Sequence, residues 1–231
     1  MTDAPDVRTE PDRPADGTRL SILQSAAHQF ANKAYSQVNL DDILDDAHVT
    51  KGALYFHFRS KHELASAVVE YRADEATDLF AQPHFQSLPA LESMVEMCFV
   101  IAVDDIGSQM ARAGFNLLEA LGRFDGLQAR LVASWVTSFA ELVGRAAAEG
   151  DVDTDVDHTD VAKLVVSLYM GLRQASDLDD PTTYLHDLAA MWRLVMPGFV
   201  DARRLDYLTA FVRRRTALAI RNAVPFRADE L

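Results

Sequence analysis

The stretch VTKGALYFHF, residues 49–58, follows a short helical segment, Leu40 to Ala47, after a break of only a few residues. Two short helices joined in this way are typical of a helix-turn-helix, whose second helix lies in the major groove of DNA. Thr50 is a good N-cap for that second helix. Lys51 and Gly52 open its first turn, where bare backbone and the positive helix end can approach a phosphate.

The predicted second helix has an inner and an outer side. Leu54 and Phe58 are spaced i, i+4, and together with Phe56 they are expected to hold the helix against a core. Tyr55 and His57 then face elsewhere, with polar tips available to the DNA backbone or a base edge. An ordinary helical pair with a buried aromatic cluster is the alternative.

Residues 39–64, NLDDILDDAHVTKGALYFHFRSKHEL, resemble the signature of the tetracycline-repressor (TetR) family of bacterial transcription regulators. The resemblance implies a double-stranded operator DNA partner. It also implies a set of DNA-binding residues that includes Lys61 near the start of the following helix. The DNA contacts expected in this way are Thr50, Lys51, Gly52, Tyr55, His57 and Lys61, mostly to phosphates, with Lys51 as the candidate for a base contact.

Composition constrains the class of protein. A formal charge of −13 over 231 residues argues against a chain coated in nucleic acid but leaves room for a local DNA-reading unit. The single cysteine, Cys98, rules out an internal disulfide and suggests the reducing cytoplasm. No apolar run approaches the ~20 residues of a membrane span, so no membrane partner is expected.

The N-terminal quarter is expected to form a disordered arm, residues 1–16, followed by a DNA-binding head, residues 17–62. Thr18 can cap a first helix in which Leu20, Leu23, Ala27 and Phe30 follow the helical period, ending near Ala34. Ala34 and His48 stand where the family usually has glycine, just past helix ends. A left-handed backbone at Ala34 would cost about 1 kcal/mol, whereas histidine tolerates that conformation better.

The rest of the chain, residues 63–231, shows helical patterns and no alternating strand pattern, so the fold class is all-α. Ser60 and Glu63 form a capping box that begins a long helix running to about Ala81, which connects the head to the body. Further helices are predicted at about 88–103, 106–121, 127–149, 157–176, 181–196 and 201–223. The result is a three-helix head joined by a long helix to a larger helical ligand-binding and dimerisation body.

The body resembles the γ-butyrolactone autoregulator receptors of actinomycetes, a TetR subgroup, through residues 87–121, Trp135, 150–152, 191–192 and 196–197. The resemblance implies an effector pocket lined by Trp135, with Arg72 and Tyr169 at neighbouring pocket positions. Such a pocket would be polar and cationic, which favours a ligand with an acidic oxygen. The alternative for Trp135 is simple packing in the core. The alternative for Arg72 is that it is solvated or pairs with Glu75.

The sequence contains no complete motif for metal binding or for catalysis. Asp151, Asp153, Asp155 and Asp157 alternate as in a calcium loop, but Val156 and Ala162 occupy the positions that require glycine and glutamate. Asp157 is better explained as a helix N-cap. No nucleophile elbow, phosphate-binding glycine loop or zinc cysteine set is present, so no catalytic residue and no cofactor is predicted.

Two helices, at 157–176 and 181–196, have broad apolar faces that in TetR proteins form a dimer interface. The sequence therefore predicts a homodimeric cytoplasmic repressor that binds a near-palindromic operator and is released by a small organic effector. A ligand-blind regulator of the same fold is the first alternative. A helical enzyme is the second, and it would leave residues 50–58 unexplained.

Overall fold

The computed structural model describes residues 13–121 and 126–226. Within these ranges the chain forms eleven α-helices and two short 3₁₀ turns, Tyr35–Gln37 and Met196–Gly198. The only β-type pairing in the described ranges is an isolated antiparallel bridge between Val152 and Val200. The helices are α1 (Arg13–Asn32), α2 (Leu40–Ala47), α3 (Lys51–His57), α4 (Lys61–Phe80), α5 (Pro83–Ser87), α6 (Ala90–Gly107), α7 (Gln109–Leu121), α8 (Leu127–Glu149), α9 (His158–Ala175), α10 (Pro181–Val195) and α11 (Leu205–Asn222).

The predicted all-α class, with a helix-turn-helix head and a helical body, is confirmed. The first helix begins at Arg13, inside the segment expected to be disordered; proline at the second position of a helix is compatible with this start. The part of the predicted arm before Arg13 lies outside the described residues. Helix α5 is a short element that the sequence pattern did not indicate.

The head is held together by side chains from all three of its helices. Leu54 and Phe58 are buried as predicted, and they pack in one apolar cluster with Ile43 of α2 and Phe30 of α1. Two expectations were wrong. Leu20 is 37% exposed, because α1 turns Ile22 and Leu23, and not Leu20, toward the core of the head. Phe56 is 80% exposed.

The turn between α2 and α3 depends on His48. This residue is the only non-glycine with positive φ among the described residues, at 53°, where it ends α2 in the left-handed conformation. Its ring nitrogen Nδ1 lies 2.7 Å from the carbonyl oxygen of Asp45 and satisfies a group at the helix end. Ala34 has φ −59°, so no left-handed strain arises there.

Helix α4 connects the head to the body. It begins at the predicted cap, with the Ser60 hydroxyl accepting from the Glu63 amide at 3.1 Å, while the Glu63 carboxylate accepts from the Arg59 amide at 2.9 Å. Its first half buries Leu64 and Val68 in the head cluster. Helix α7 adds Leu117 and Leu118 to that same cluster, so the core of the head extends well beyond residue 62.

The body surrounds α6, which is buried along most of its length. Helices α8, α10 and α11 pack on it, and Trp192 of α10 is completely buried there. Asp157 caps α9 as predicted, accepting from the amides of Thr159 and Asp160. Cys98 is buried in this core, and burial raises the pKa of its thiol to about 12, which makes it unreactive at neutral pH.

Candidate nucleic-acid interface and effector site

Helix α3 presents a mixed polar and aromatic surface to solvent. The Thr50 oxygen Oγ1 accepts from the Ala53 amide at 3.2 Å, as expected for an N-cap, which leaves its own hydroxyl proton available to an outside acceptor. Lys51 and Gly52 are exposed, Tyr55 is 44% exposed, and Phe56 protrudes furthest. The helix contains no acidic residue. This surface suits an anionic partner with flat or methyl-bearing groups.

Phe56 was misassigned from the sequence because a phenylalanine in a short helix usually packs inward. Its ring makes an edge-on contact with the His57 ring, with centroids 5.0 Å apart, and otherwise faces solvent. The signal in the sequence was positional. Leu54 and Phe58 already occupy one face of the helix, so Phe56, two residues from each, must project from another face.

Gly52 has no structural reason to be glycine within the described chain. A Cβ placed on it would meet only the Thr50 hydroxyl oxygen, at 3.9 Å, which is an ordinary van der Waals distance. Its φ is not in the left-handed region, since the only positive-φ glycines described are Gly126 and Gly150. The backbone at Gly52 is therefore open to solvent, with no side chain to keep another molecule away from it.

Lys61 has contacts that the sequence did not suggest. Its ammonium nitrogen donates to the carbonyl oxygens of Tyr35, at 2.7 Å, and Val38, at 2.9 Å. It also lies 4.3 Å from the centroid of the Tyr35 ring. Lys61 thus fastens the loop between α1 and α2 to the start of α4. These two hydrogen bonds use two of its three N–H groups.

The exposed charges of the head differ between its two short helices. On α2, Asp41, Asp45 and Asp46 are exposed, and Asp42 pairs with Lys33 at 3.3 Å. The basic residues Lys51 and Arg59 lie instead on or beside α3, both exposed. An approaching polyanion is therefore attracted to α3 and repelled from the outer side of α2.

Arg72 lies where head, connecting helix and body meet. Its Nη2 is 2.6 Å from Asp104 Oδ2 of α6, and the arginine side chain is mostly buried. Its Cβ and Cγ pack on Gly114 of α7, where any Cβ would be only 3.1 Å away. Arg72 is therefore a paired residue that joins α4, α6 and α7, and it is neither solvated nor an uncompensated pocket cation. Its main partner is Asp104, and the Glu75 carboxylate also interacts with it.

Tyr169 belongs to a buried polar group next to that pair. Its hydroxyl donates to Asp105 Oδ2 at 3.0 Å and accepts from the Tyr184 hydroxyl at 3.3 Å. Arg173 Nε lies 3.4 Å from the same Asp105 oxygen without hydrogen-bond geometry, and its guanidinium lies 4.7 Å from the centroid of the Phe115 ring. Burial raises the pKa of the Asp105 carboxyl to about 6, even though Arg173 and Tyr169 favour its ionised form.

Arg72, Asp104, Asp105, Tyr169 and Arg173 form what we call the polar seam. The sequence singled out Arg72 and Tyr169 but missed their three partners. The available signal was a pair of adjacent aspartates near the end of α6, because carboxylates on a mostly buried helix require cationic or hydroxyl partners.

Trp135, the third predicted ligand residue, is half-buried on α8. It packs with Leu131 and Met170 against the apolar cluster of the head, connecting helix and α7. Met170 is the residue after Tyr169 on α9. Trp135 therefore lies close to α9, on the side of α8 and α9 that packs against the head cluster. A separate open cavity of about 620 Å³ contains none of the three predicted residues and is lined by Gln86, Ser87, Leu88, Pro89, Arg145, Glu149, Asp151 and Arg204.

The outward side of α9 and α10 carries a few apolar residues among polar ones. Leu164, Leu168 and Leu172 are spaced i, i+4, i+8, and Leu164 is 45% exposed. On α10, Leu194 is 75% exposed. The inward sides of both helices, including Val165 of α9, are buried in the body core, so the predicted apolar faces are divided between core and surface.

The part of the chain that the structure describes contains neither of two simple patterns, a cluster of metal ligands and a membrane-spanning helix. Among the residues that it describes, no three histidine, cysteine or acidic side chains come together as metal ligands. No helix in the described ranges is long and apolar enough to cross a membrane.

Comparison with known proteins agrees with this architecture. Residues 22–68 match the family model for bacterial regulatory proteins of the tetR family, and residues 88–201 match the tetracyclin repressor-like C-terminal domain. The chain is 32% identical over 182 residues to the A-factor receptor protein of Streptomyces griseus, which covers 78% of this chain and 63% of that protein. The alignment thus spans slightly less than two thirds of that relative.

Solved structures lead to the same class. A γ-butyrolactone receptor described as ArpA-like is 26% identical, with 90% of this chain and all of that one covered and a TM-score of 0.70. The TetR family protein CprB from Streptomyces coelicolor, solved with its biological operator sequence, is also 26% identical, with 87% and 98% covered and a TM-score of 0.73. This chain belongs to the TetR family, and its homologues are transcription regulators rather than enzymes.

Proposed function

We propose that the protein is a homodimeric transcriptional repressor that binds a near-palindromic operator through α3 and is released by a small effector bound at the polar seam. The observation that carries the DNA-binding part is the outward face of α3, where basic, aromatic and glycine residues are exposed with no acid among them. The operator-bound relative supports the same assignment.

In this proposal Thr50, Lys51, Gly52, Tyr55 and His57 contact DNA, mostly at phosphates, and Lys61 uses its remaining N–H in the same way. Lys51 is the candidate for a guanine contact, since lysine can donate to the acceptors on that base in the major groove. We add Phe56, whose exposed ring suits the methyl group of a thymine.

The test is selection of duplexes from the genome of the producing bacterium by the purified protein. We expect the selected fragments to share an inverted repeat, because two α3 helices related by a two-fold axis must meet grooves about 34–36 Å apart. Lys51→Ala should weaken operator binding by roughly 1–3 kcal/mol and flatten its salt dependence. Recovery of no common sequence by a folded protein would refute the proposal.

The effector that we propose is uncharged and rich in hydrogen-bond acceptors. Within the seam, Arg72 faces Asp104 and Arg173 faces Asp105, so the two cations are already balanced by two carboxylates. A carboxylate ligand, which the sequence favoured, would add an unmatched charge to a buried site. A lactone carbonyl adds none, and it could accept from Arg173 Nε, which is buried without a hydrogen bond.

A γ-butyrolactone and its ring-opened hydroxy acid separate these possibilities, because they share one carbon skeleton and differ in charge. We expect only the lactone to release operator DNA and to change the fluorescence of Trp135. The Trp135→Phe variant should retain operator binding while losing the fluorescence response; Trp192 then reports the unaltered core. Release by the hydroxy acid alone would contradict the charge argument.

A ligand-blind regulator of the same fold is the second candidate, and the mutual pairing within the seam favours it. Native mass spectrometry of the protein purified from its own bacterium discriminates the two. A retained small molecule that dissociates the operator complex supports the effector. Operator binding that is insensitive to every extract fraction supports the ligand-blind regulator.

A further inference from the structure

The end of the described chain folds back onto the junction between α6 and α7. After α11 ends at Asn222, residues 223–226, which we call the C-terminal strap, have no helical structure. The Phe226 amide donates to the Ile106 carbonyl at 3.0 Å. The Val224 carbonyl oxygen approaches so closely that a Cβ on Gly107 would be 3.0 Å from it. Residues 106–108, which we call the elbow, thus receive the strap on their backbone.

Arg112 of α7 fixes the elbow from a second side. Its Nη2 donates to the Ile106 carbonyl at 3.1 Å and to Asp179 Oδ1 at 2.9 Å. Its guanidinium lies 5.8 Å from the centroid of the Phe226 ring. The Ile106 carbonyl therefore accepts from both Phe226 and Arg112, and the strap is part of one connected group of contacts.

The elbow is directly connected to the head and to the seam. Gln109, the first residue of α7, accepts from His28 Nδ1 of α1 at 3.2 Å. Further along α7, the Asn116 amide nitrogen lies 3.5 Å from the Phe30 carbonyl oxygen. In the other direction, Asp104 and Asp105 of the seam immediately precede Ile106. The elbow is therefore connected through α7 to α1, the first helix of the head.

We propose that the C-terminal strap clamps the elbow and thereby holds α7 and the head in the arrangement that binds DNA. Release of the strap loosens the start of α7 and shifts the head relative to the body. The effect on operator affinity rests on the proposed function, whereas the effect on α7 does not. The strap positions α7 and the head. In this proposal Val224, Phe226 and the elbow contact neither the operator nor the effector.

Two variants detach the strap from opposite sides. Phe226→Ala removes the ring that packs on Arg112, and Gly107→Val displaces the Val224 carbonyl without altering the strap itself. Val224→Ala is the matched control, because the Val224 side chain is 72% exposed and only its carbonyl oxygen approaches the elbow. Hydrogen exchange of the full-length protein is measured without DNA, followed by operator affinity.

The amides of Ala111 and Arg112 bond to Ser108 at the start of α7. We expect both detaching variants to raise hydrogen exchange at these two amides about tenfold. The Val224→Ala control should leave the exchange rate unchanged. Operator affinity should fall about fivefold or more. Wild-type exchange in both variants would overturn the proposal, as would raised exchange with unaltered affinity. A wild-type protein that binds no operator would refute the proposed function, while the exchange data would still decide whether the strap clamps α7.

Discussion

The ammonium group of Lys61 is bound to the Tyr35 carbonyl oxygen at 2.7 Å and faces the ring of the same tyrosine at 4.3 Å. Together with the bond to the Val38 carbonyl, this contact ties the loop after α1 to the first turn of α4. The lysine that the TetR resemblance assigns to DNA is therefore also an internal support of the head.

We expect Lys61→Met to lower the free energy of unfolding by about 1–2 kcal/mol in the absence of DNA, because two carbonyl groups lose a charged donor while the side-chain stem is kept. Chemical denaturation at fixed protein concentration measures this. Lys51→Met removes an exposed lysine of α3 and is the control, with an expected change within about 0.5 kcal/mol. Equal free energies of unfolding for the two variants would show that the Lys61 contacts do not stabilise the head.

Gly52→Ala should separate folding from DNA binding. The added methyl group meets no atom of the described chain closer than 3.9 Å, and alanine in place of glycine in a helix stabilises by about 0.5–1 kcal/mol. The same methyl group would intrude between α3 and a phosphate. We therefore expect an equal or higher melting temperature together with at least about tenfold weaker operator binding, measured by fluorescence anisotropy.

Gly198→Ala is the matched control, since a Cβ there also has open space and Gly198 lies in the 3₁₀ turn after α10, in the body. It should change neither property. Full operator affinity in Gly52→Ala would mean that the backbone at Gly52 does not approach DNA closely.

The sequence predicted most of the architecture because its strongest patterns are local. Ser60 and Glu63 mark the start of α4 through a capping box, and Thr50 marks the start of α3. His48 was recognised as a residue that tolerates a left-handed turn. In each case the residue type and its nearest neighbours in the chain determine the backbone, so no distant contact has to be known.

What the sequence could not predict depends on contacts between distant segments. Arg72 and Asp104 are far apart in the chain, and nothing near Arg72 indicates that its partner is on α6 rather than the neighbouring Glu75. Phe56 was expected inside because aromatic residues are usually buried, yet the inner face of α3 was already filled. The contact between the strap and Ile106 joins residues that are far apart in the chain and has no local signal.

Asp105 should make stability depend on pH in a specific direction. Burial raises the pKa of its carboxyl from 3.8 to about 6 in the folded protein, so the folded state holds its proton more tightly than the unfolded state does. The resulting stabilisation is fully present below pH 4 and is lost as the pH rises through 6. A shift of this size corresponds to about 3 kcal/mol.

Asp105→Asn isolates that contribution because asparagine does not titrate. We expect the free energy of unfolding of the wild type, minus that of Asp105→Asn, to increase by roughly 2 kcal/mol between pH 7 and pH 4. Asp78→Asn, at an exposed position on α4, is the control for removing a carboxylate. A difference that stays constant, or that decreases on acidification, would contradict the raised pKa.

Leu194→Glu should test the dimer without altering the protomer. Leu194 is 75% exposed on α10, so burial in the protomer contributes little, and a charge there costs little in the isolated chain. In a two-fold interface the same patch meets its own copy, so each substitution places two carboxylates in an apolar contact. We expect a shift from dimer to monomer in sedimentation at micromolar concentration, with unchanged helical content. Leu20→Glu, at a partly exposed position on α1, should leave the dimer intact.

Because two heads are needed to span an inverted repeat, the monomer should also lose operator affinity while keeping weak binding to a single half-site. A Leu194→Glu protein that sediments as a dimer would place the interface elsewhere than on α10.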